Sequence, residues 1–189
     1  MKELFEAIFT KRLIIRPESI ADASSLKELL DDHENRPFND KIIGLTLTKL
    51  EKSIAENRRL FSIDANSIIS DKANCHFSIL DKNSNEYFGY LIIKYQKIID
   101  KVELGYGIKN DKRGNGYALE AAQAGLTFAF DIIKLPELFA AVNPKNTPSL
   151  KILNRIGMKY VKDTEWPNQG NVNVYSLTRI EYENMKGKI

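Results

Sequence analysis

The chain alternates between two kinds of hydrophobic pattern. Near its start, apolar residues recur every three or four positions, as in Ile20, Ala23, Leu26 and Leu29, which is typical of an amphipathic helix. From Cys75 onward, short β-type runs separated by polar turns become frequent. The predicted strands are 11–16, 75–80, 87–94, 102–108, 138–142, 159–162 and 172–178; the predicted helices are 19–33, 46–61, 115–133 and a short one from 147, with a loop at 66–72. The resulting order, β-α-α-β-β-β-α-β-α-β-β, predicts an α/β fold in which helices cover a sheet of mixed direction.

Composition narrows the class of protein. Of the 189 residues, 43% are hydrophobic and 28% charged, which is ordinary for a globular protein, and we expect one domain over residues 1–189. No apolar run reaches the roughly 18–20 residues of a membrane helix, and residues 1–10 lack a signal-peptide pattern. A cytoplasmic protein without a membrane partner is therefore expected. The net charge of +3 does not favour a nucleic-acid partner, and one cysteine with two histidines favours neither a disulfide nor a metal site.

A basic, glycine-containing turn joins the strand at 102–108 to the following helix. It reads Lys109-Asn-Asp-Lys-Arg-Gly-Asn-Gly-Tyr-Ala118. The first N–H groups of a helix have no intrahelical acceptor and attract anions, and Gly114 and Gly116 allow the backbone to approach a phosphate closely. The spacing matches neither a Walker loop nor a Rossmann fingerprint. The turn therefore predicts an anion site; a strand-to-helix turn that merely needs two glycines is the alternative.

Two segments resemble one known family. Arg113-Gly-Asn-Gly-Tyr-Ala118 is similar to the Arg/Gln-x-x-Gly-x-Gly/Ala signature of the GCN5-related N-acetyltransferase (GNAT) superfamily. Downstream, Asn146 and Ser149 hold the positions of a second Asn-x-x-Ser signature, which is followed by a helix and Gly157. The likeness extends over about 13–178 and is strongest to the Rim-type branch, which acetylates ribosomal-protein N-termini. It implies acetyl-CoA as co-substrate and a sheet that splays at the acetyl-CoA site.

The resemblance also implies which residues meet acetyl-CoA. The turn amides would cradle the pyrophosphate, and backbone near the strand end would pair with the pantetheine arm. The implied cofactor-binding residues are Tyr106, Gly107, Ile108, Arg113, Gly114, Asn115, Gly116, Tyr117, Ala118, Asn143, Asn146 and Ser149. For the remote 3′-phosphate, Lys109, Lys151 and Arg155 are candidates, with plain surface solvation as their alternative role.

Direct attack of an amine on the thioester needs a base, an oxyanion donor and a proton donor for the thiolate. On a regular strand, Glu103 shares a face with Gly105 and Gly107, which predicts space for a substrate beside its carboxylate. We therefore expect Glu103 to be the base, although an exposed strand glutamate without a role is the alternative. The resemblance implies an oxyanion donor near Ile108, where the family strand carries a bulge.

Ser149 is the expected catalytic proton donor because it falls in the first turn of its helix. Tyr106 and Tyr160 stay open as alternatives, since many relatives use a tyrosine. No covalent acetyl-cysteine route is expected. Cys75 and His76 are adjacent and would point to opposite faces of a strand, so they cannot form a nucleophile–base pair.

The acceptor amine stays open. A protein N-terminus fits the Rim-type resemblance, a small amine is the alternative, and a non-catalytic CoA-binding domain is a third reading. An acidic cluster of Asp31, Asp32, Glu34 and Asp40 slightly favours a small cationic amine, while His33 beside it is expected in a solvated helix end. Trp166 is expected either to line the acceptor pocket or to cap the core. Monomer and homodimer are both compatible with the sequence.

Overall fold

The structure is a computed structural model, and it describes residues 5–32, 45–70, 74–166 and 170–187. The strands are β1 (Ile8–Phe9), β2 (Leu13–Pro17), β3 (Asn74–Asp81), β4 (Tyr87–Gln96), β5 (Lys101–Ile108), β6 (Glu137–Val142), β7 (Lys159–Trp166) and β8 (Gly170–Thr178). The helices are α1 (Ala23–Asp31), α2 (Leu47–Leu60), α3 (Ala65–Ile69), α4 (Tyr117–Thr127), α5 (Thr147–Arg155) and α6 (Arg179–Lys186).

One sheet contains all of these strands, in the order β1-β2-β3-β4-β5-β6-β8-β7. Adjacent strands are antiparallel except β5 and β6, which are parallel and share a single residue pair, Glu103 with Phe139. By contrast, β4 and β5 pair along the whole of β5. β5 and β6 therefore diverge beyond Glu103. The predicted α/β fold with a mixed, splayed sheet is confirmed.

Helices cover both faces of this sheet. On one face α4 lies close to the strands, because a Cβ on Gly125 would come 2.9 Å from the Leu104 side chain. On the other face, Leu26 of α1 and Ile54 of α2 pack with Tyr90 of β4. Full burial of a leucine or isoleucine side chain contributes about 1.5–3 kcal/mol, so these two layers fix the helices on the sheet.

The segment predicted as a loop at 66–72 is partly helical. Asp64 caps α3 by accepting a hydrogen bond from the Ser67 amide at 2.8 Å, and Ile68 is fully buried. The loop prediction was therefore wrong for residues 66–69, because a cap and one buried side chain outweigh the polar composition. Residues 71–73 lie outside the described part of the chain.

The ends of the predicted elements also shift. The helix predicted at 115–133 begins at Tyr117, and its last turn, Phe128–Ile132, is π-helical. The predicted end of the first helix at His33 lies outside the described residues. β1 and α6 were not predicted. α6 begins with a capping box between Thr178 and Glu181, a signal that the sequence does carry.

Candidate active site

The divergence of β5 and β6 opens a cavity of about 430 Å³. Gly105 and Tyr106 line it from β5, and Asn143, Asn146 and Ser149 line it from the segment after β6. Strand edges that cease to pair leave backbone N–H and C=O groups available to an extended ligand, which can bind as an added strand does. The cavity therefore suits a chain-like ligand that carries amides. It brings Tyr106, Asn143 and Asn146, which were predicted to meet the cofactor, together with Ser149, which was predicted to meet it and to donate a proton.

The N-terminus of α4 has the geometry of an anion site. Gly114 and Gly116 have φ angles of 76° and 79°, the left-handed region that favours glycine. Gly116 is the N-cap of α4 and no side chain caps the helix there, so the first-turn amides of Tyr117 and Ala118 are available to an anion. The space beside Gly114 is open, with no atom within 4 Å of an added Cβ. These residues fit a phosphate group.

The lysines of this turn are paired with carboxylates. Lys109 Nζ lies 2.9 Å from Glu28 Oε2, and Lys112 Nζ lies 2.7 Å from Glu86 Oε1. Part of the positive charge that the sequence led us to expect here is therefore already balanced within the protein. The backbone amides and the helix dipole remain as the main attraction for an anion.

Arg113 and Asn115 brace the turn itself. Arg113 Nε donates to the Ile108 carbonyl at 3.2 Å. The Asn115 side-chain amide donates to the carbonyls of Lys112 and Arg113, at 3.2 Å and 3.0 Å. Both side chains hold the turn closed, which is a role that their place in the signature did not reveal.

Arg12 connects the N-terminal strands to this turn and was missed by the sequence analysis. Its Nε lies 2.7 Å from Glu120 Oε2, its Nη1 donates to the Asn115 carbonyl at 2.8 Å, and its guanidinium lies 4.5 Å from the centre of the Tyr117 ring. Thr10 Oγ1 also donates to Glu120, at 2.6 Å. Arg12 thus fixes α4 and its preceding loop from outside, a contact over more than 100 residues of sequence.

The Asn-x-x-Ser signature forms a helix cap. Asn146 is the N-cap of α5 and its Oδ1 accepts from the Ser149 amide at 3.3 Å. Asn143 Oδ1 accepts from the Lys145 amide at 2.9 Å, which tightens the preceding turn. These bonds position Ser149 in the first turn of α5, where it lines the cavity.

The Tyr106 hydroxyl is buried and makes no hydrogen bond within the part of the chain that the structure describes. Burial raises the pKa of Tyr106 to about 12, and the nearby Ser149 hydroxyl acts in the opposite direction. The two hydroxyls are therefore neighbours, and the phenol is protonated at neutral pH. Tyr160, the other tyrosine considered, is 54% exposed and packs on Tyr175 instead of lining the cavity.

Glu103 faces the cavity, as the strand alternation predicted. The Gln96 amide donates a hydrogen bond to its carboxylate. The space beside it is smaller than expected. Nothing lies closer than 3.9 Å to an added Cβ on Gly105, but the Tyr90 ring would come within 2.6 Å of one on Gly107. Only Gly105 leaves room for a substrate next to Glu103.

The bulge expected near Ile108 is absent. β4 and β5 keep one register along the whole of β5, and the irregularity lies between β3 and β4, at Ile79 and Leu80. The splay arises from the divergence of β5 and β6. Close approach of β4 and β5 depends instead on Gly89, where a Cβ would lie 2.0 Å from the Gly107 carbonyl oxygen.

Cys75 and His76 point to opposite faces of β3, as predicted. Cys75 is fully buried, and burial raises the pKa of its thiol to about 12. His76, which the sequence analysis set aside, lines the cavity. Burial lowers the pKa of His76 to about 3, so the imidazole is neutral at physiological pH.

Two further charged residues line the same cavity and were not predicted. Lys94 lies opposite Glu103 in the register of β4 and β5. Glu18, which follows β2, is only 3% exposed. Alternation along the predicted hairpin could have placed His76 and Lys94 on the face of Glu103, but nothing local in the sequence indicates that Glu18 is buried.

Trp166 both lines the cavity and packs on Phe139, with ring centroids 6.3 Å apart. The two roles that the sequence left open are therefore combined. The neighbouring loop residues 167–169 lie outside the described part of the chain. Lys151 and Arg155 are exposed on α5, and their role at a remote phosphate stays a prediction.

The acidic cluster does not lie where it was expected. Asp31 pairs with Lys27 at 2.5 Å on the surface of α1. Asp32 lies 4.0 Å from Arg113 Nη2, beside the turn before α4. Neither Asp31 nor Asp32 lines the cavity. Glu34 and Asp40 lie outside the described residues. The argument that this cluster attracts a cationic acceptor is therefore wrong for Asp31 and Asp32.

Within the described ranges, no group of three or more His, Cys, Asp or Glu side chains could hold a metal ion. None of the described helices has the length and apolar character needed to cross a membrane.

Comparison with known proteins identifies the fold and the family. Residues 12–159 match the family model described as an acetyltransferase (GNAT) domain. The chain is 27% identical over 185 residues to the uncharacterized N-acetyltransferase p20 of Bacillus licheniformis, covering 94% of this chain and 98% of that protein.

Two solved structures show the same fold. A GNAT-family acetyltransferase from Bacillus anthracis superposes with a TM-score of 0.76 at 22% identity, covering 93% of this chain and 99% of that one. The ribosomal-protein-S5-alanine acetyltransferase from Vibrio fischeri gives 0.77 at 16% identity, covering 94% and 99%. The splayed sheet and the glycine turn at α4 agree with these folds, and the family model that matches residues 12–159 shows that the chain belongs to the GNAT family of N-acetyltransferases.

Proposed function

We propose that this N-acetyltransferase moves an acetyl group directly from acetyl-CoA to a primary amine inside the cavity between β5 and β6. The observation that carries the proposal is the arrangement along β5: Glu103 faces the cavity near the start of the strand, and the uncapped N-terminus of α4 follows its end. Acetyl-CoA, when bound, supplies the activated thioester.

The residues near α4 bind the diphosphate. The amides of the turn from Arg113 to Ala118 hold the phosphate oxygens, supported by the helix dipole. The open strand edge at Tyr106 and the polar groups of Asn143 and Asn146 hold the amide-bearing arm in the cavity. In this proposal Lys109 is largely occupied by Glu28 and contributes less than the amides.

Glu103 removes the proton from the acceptor. A carboxylate on the open side of Gly105 can take a proton from an ammonium or attacking amine, directly or through water. Gln96 fixes the carboxylate by donating a hydrogen bond to it. At the other side of the reacting centre, the neighbouring hydroxyls of Ser149 and Tyr106 donate a proton to the departing sulfur. A phenol whose pKa is about 12 is fully protonated and able to do this.

A small-molecule amine is the favoured acceptor because α1 and α2 close over the part of the cavity beyond Glu103. Leu26, Leu50 and Ile54 from these helices line it. The second candidate is a protein N-terminus, supported by the fold shared with the ribosomal-protein-S5-alanine acetyltransferase.

The test measures thiol release from acetyl-CoA with a panel of small amines and with peptides that begin with alanine or serine. We expect release with at least one amine and loss of release in Glu103→Gln. Glu165→Gln, an exposed strand glutamate outside the cavity, is the matched control. CoA binding measured by calorimetry without any release would instead favour a non-catalytic CoA-binding protein.

A further inference from the structure

We propose that Glu18 forms the far end of the acceptor subsite and binds a second, cationic group of an elongated amine, such as an α,ω-diamine. The proposal rests on the proposed acetyl transfer at Glu103 and names the class of acceptor.

A row of residues leads from the reacting centre to Glu18 across the sheet. Gly105 pairs with Ile92, Ile92 pairs with His76, and the His76 carbonyl accepts from the Glu18 amide at 3.0 Å. All four residues line the same cavity. Three strand spacings separate the backbone of Gly105 from that of Glu18, a distance of about 14 Å across the sheet. An acceptor lying across the strands can therefore reach from Glu103 toward Glu18.

Within the described residues, Glu18 has no cationic partner. Its carboxylate has the side-chain amide of Asn57 as a hydrogen-bond partner and the negative charge of Asp22 nearby. His76 Nδ1 lies 3.8 Å away but is neutral. Arg16 is committed to Asp22, with two contacts of 2.8 Å. A buried carboxylate in such surroundings is expensive to ionise and gains strongly from an incoming ammonium.

The burial of Glu18 agrees with a role in binding a cation. It raises the pKa of Glu18 to about 7, so the group is partly protonated at neutral pH until a cation arrives. Between the two ends, the walls from Leu26, Leu50 and Ile54 are apolar and suit a methylene chain.

The position of Lys94 limits where a second ammonium group of the acceptor can lie. Lys94 lies opposite Glu103 and lines the cavity, and its charge also acts on His76. A second ammonium close to the reacting amine would face the Lys94 ammonium, which is unfavourable. A second ammonium at the distance of Glu18 would meet a carboxylate. The charges of the cavity therefore favour a cation that is remote from the reacting amine.

The experiment compares α,ω-diaminoalkanes of about four to twelve carbons, whose extended lengths run from well below to just above the strand separation of about 14 Å, with n-alkylamines of equal length. Thiol release gives kcat/KM, and calorimetry on the CoA-bound protein gives binding. For the wild type we expect a diamine preference of about tenfold or more at an optimal length, as for a charged hydrogen bond. Glu18→Gln should remove this preference, so that diamines and n-alkylamines of equal length give similar kcat/KM. Glu6→Gln, an exposed glutamate, should retain the preference.

Glu18→Asp provides a second test because it keeps the charge and shortens its reach. We expect it to move the optimum to a longer diamine. Equal use of diamines and alkylamines by the wild type, or an unchanged diamine preference in Glu18→Gln, would overturn the proposal. Diamine binding that depends on Glu18 but gives no thiol release would support the subsite and contradict acetyl transfer. Absence of both binding and release with diamines would overturn the subsite.

Discussion

The two ends of the cavity are built from different kinds of group. At α4 the groups that we propose to bind the cofactor are backbone amides, and surrounding side chains such as Arg12 and Glu120 are paired with each other. Toward α1 and α2 the polar groups are side chains, and no cation among the described residues pairs with Glu18. A site made of paired, rigid groups suits a constant ligand. A site in which one buried carboxylate is not balanced by a described cation leaves recognition of the acceptor to only a few side-chain positions.

The largest expected effect comes from substitution of Glu103, which should lower turnover without changing CoA binding. Glu103→Gln removes the base and should lower kcat by about 100-fold or more, because general base catalysis typically contributes that much. Binding of CoA, which we propose for the other end, should be unchanged when measured by calorimetry. Turnover equal to that of the wild type would remove Glu103 from the mechanism.

Glu18→Gln should change stability in a pH-dependent way. In the folded protein Glu18 holds its proton up to about pH 7, and in the unfolded chain only to about 4.5. The folded state therefore binds more protons over this range, and the wild type loses stability as the pH rises through it, by up to about 3 kcal/mol.

Glutamine carries no such penalty, so the difference in unfolding free energy between Glu18→Gln and wild type should grow in favour of the variant from pH 5 to pH 8. Urea unfolding at both pH values measures it. His76, whose pKa is lowered, acts in the opposite sense in both proteins and cancels in the difference. The paired carboxylate of Asp22 and the buried phenol of Tyr87 titrate outside this range. A difference that does not depend on pH would contradict the burial of an ionisable Glu18.

The hydroxyls of Tyr106 and Ser149 can be compared with each other in the same way. Tyr106→Phe and Ser149→Ala should each lower kcat, and the larger loss, about tenfold or more, identifies the catalytic proton donor. Tyr106→Phe also removes a buried hydroxyl that lies beside the Ser149 hydroxyl without a well-formed hydrogen bond, so the melting temperature of the variant should equal or exceed that of the wild type. A clear loss of stability in this variant would show that the hydroxyl has a structural partner.

The smallest effect should come from the brace at α4. Arg12→Ala removes the contacts to Glu120 and Asn115 and should weaken CoA binding several-fold, up to about tenfold, with little change in kcat at saturating acetyl-CoA. Lys27→Ala, which removes a surface pair on α1, is the control and should bind CoA normally. Equal CoA affinity in Arg12→Ala would show that the turn holds its shape without the brace.

Much of the fold was predictable because its signals are local. The alternation around Glu103, the glycines of the turn before α4 and the order of the main elements could be read from short segments. The loop prediction at 66–72 was wrong for residues 66–69 because the cap from Asp64 and the burial of Ile68 were not recognised. The prediction of a bulge near Ile108 was wrong because it came from the family resemblance and not from the residues of this chain.

The sequence by itself determined the strand-turn-helix geometry before α4 and the face of Glu103, since both follow from backbone geometry within about 15 residues. Only the tertiary structure decided that Tyr106 meets Ser149, that Arg12 braces Asn115, and that Glu18 enters the cavity of Glu103. The reason is that a local pattern fixes the direction of a side chain relative to its own element. Burial, pairing and pKa depend on which distant elements pack against that side chain.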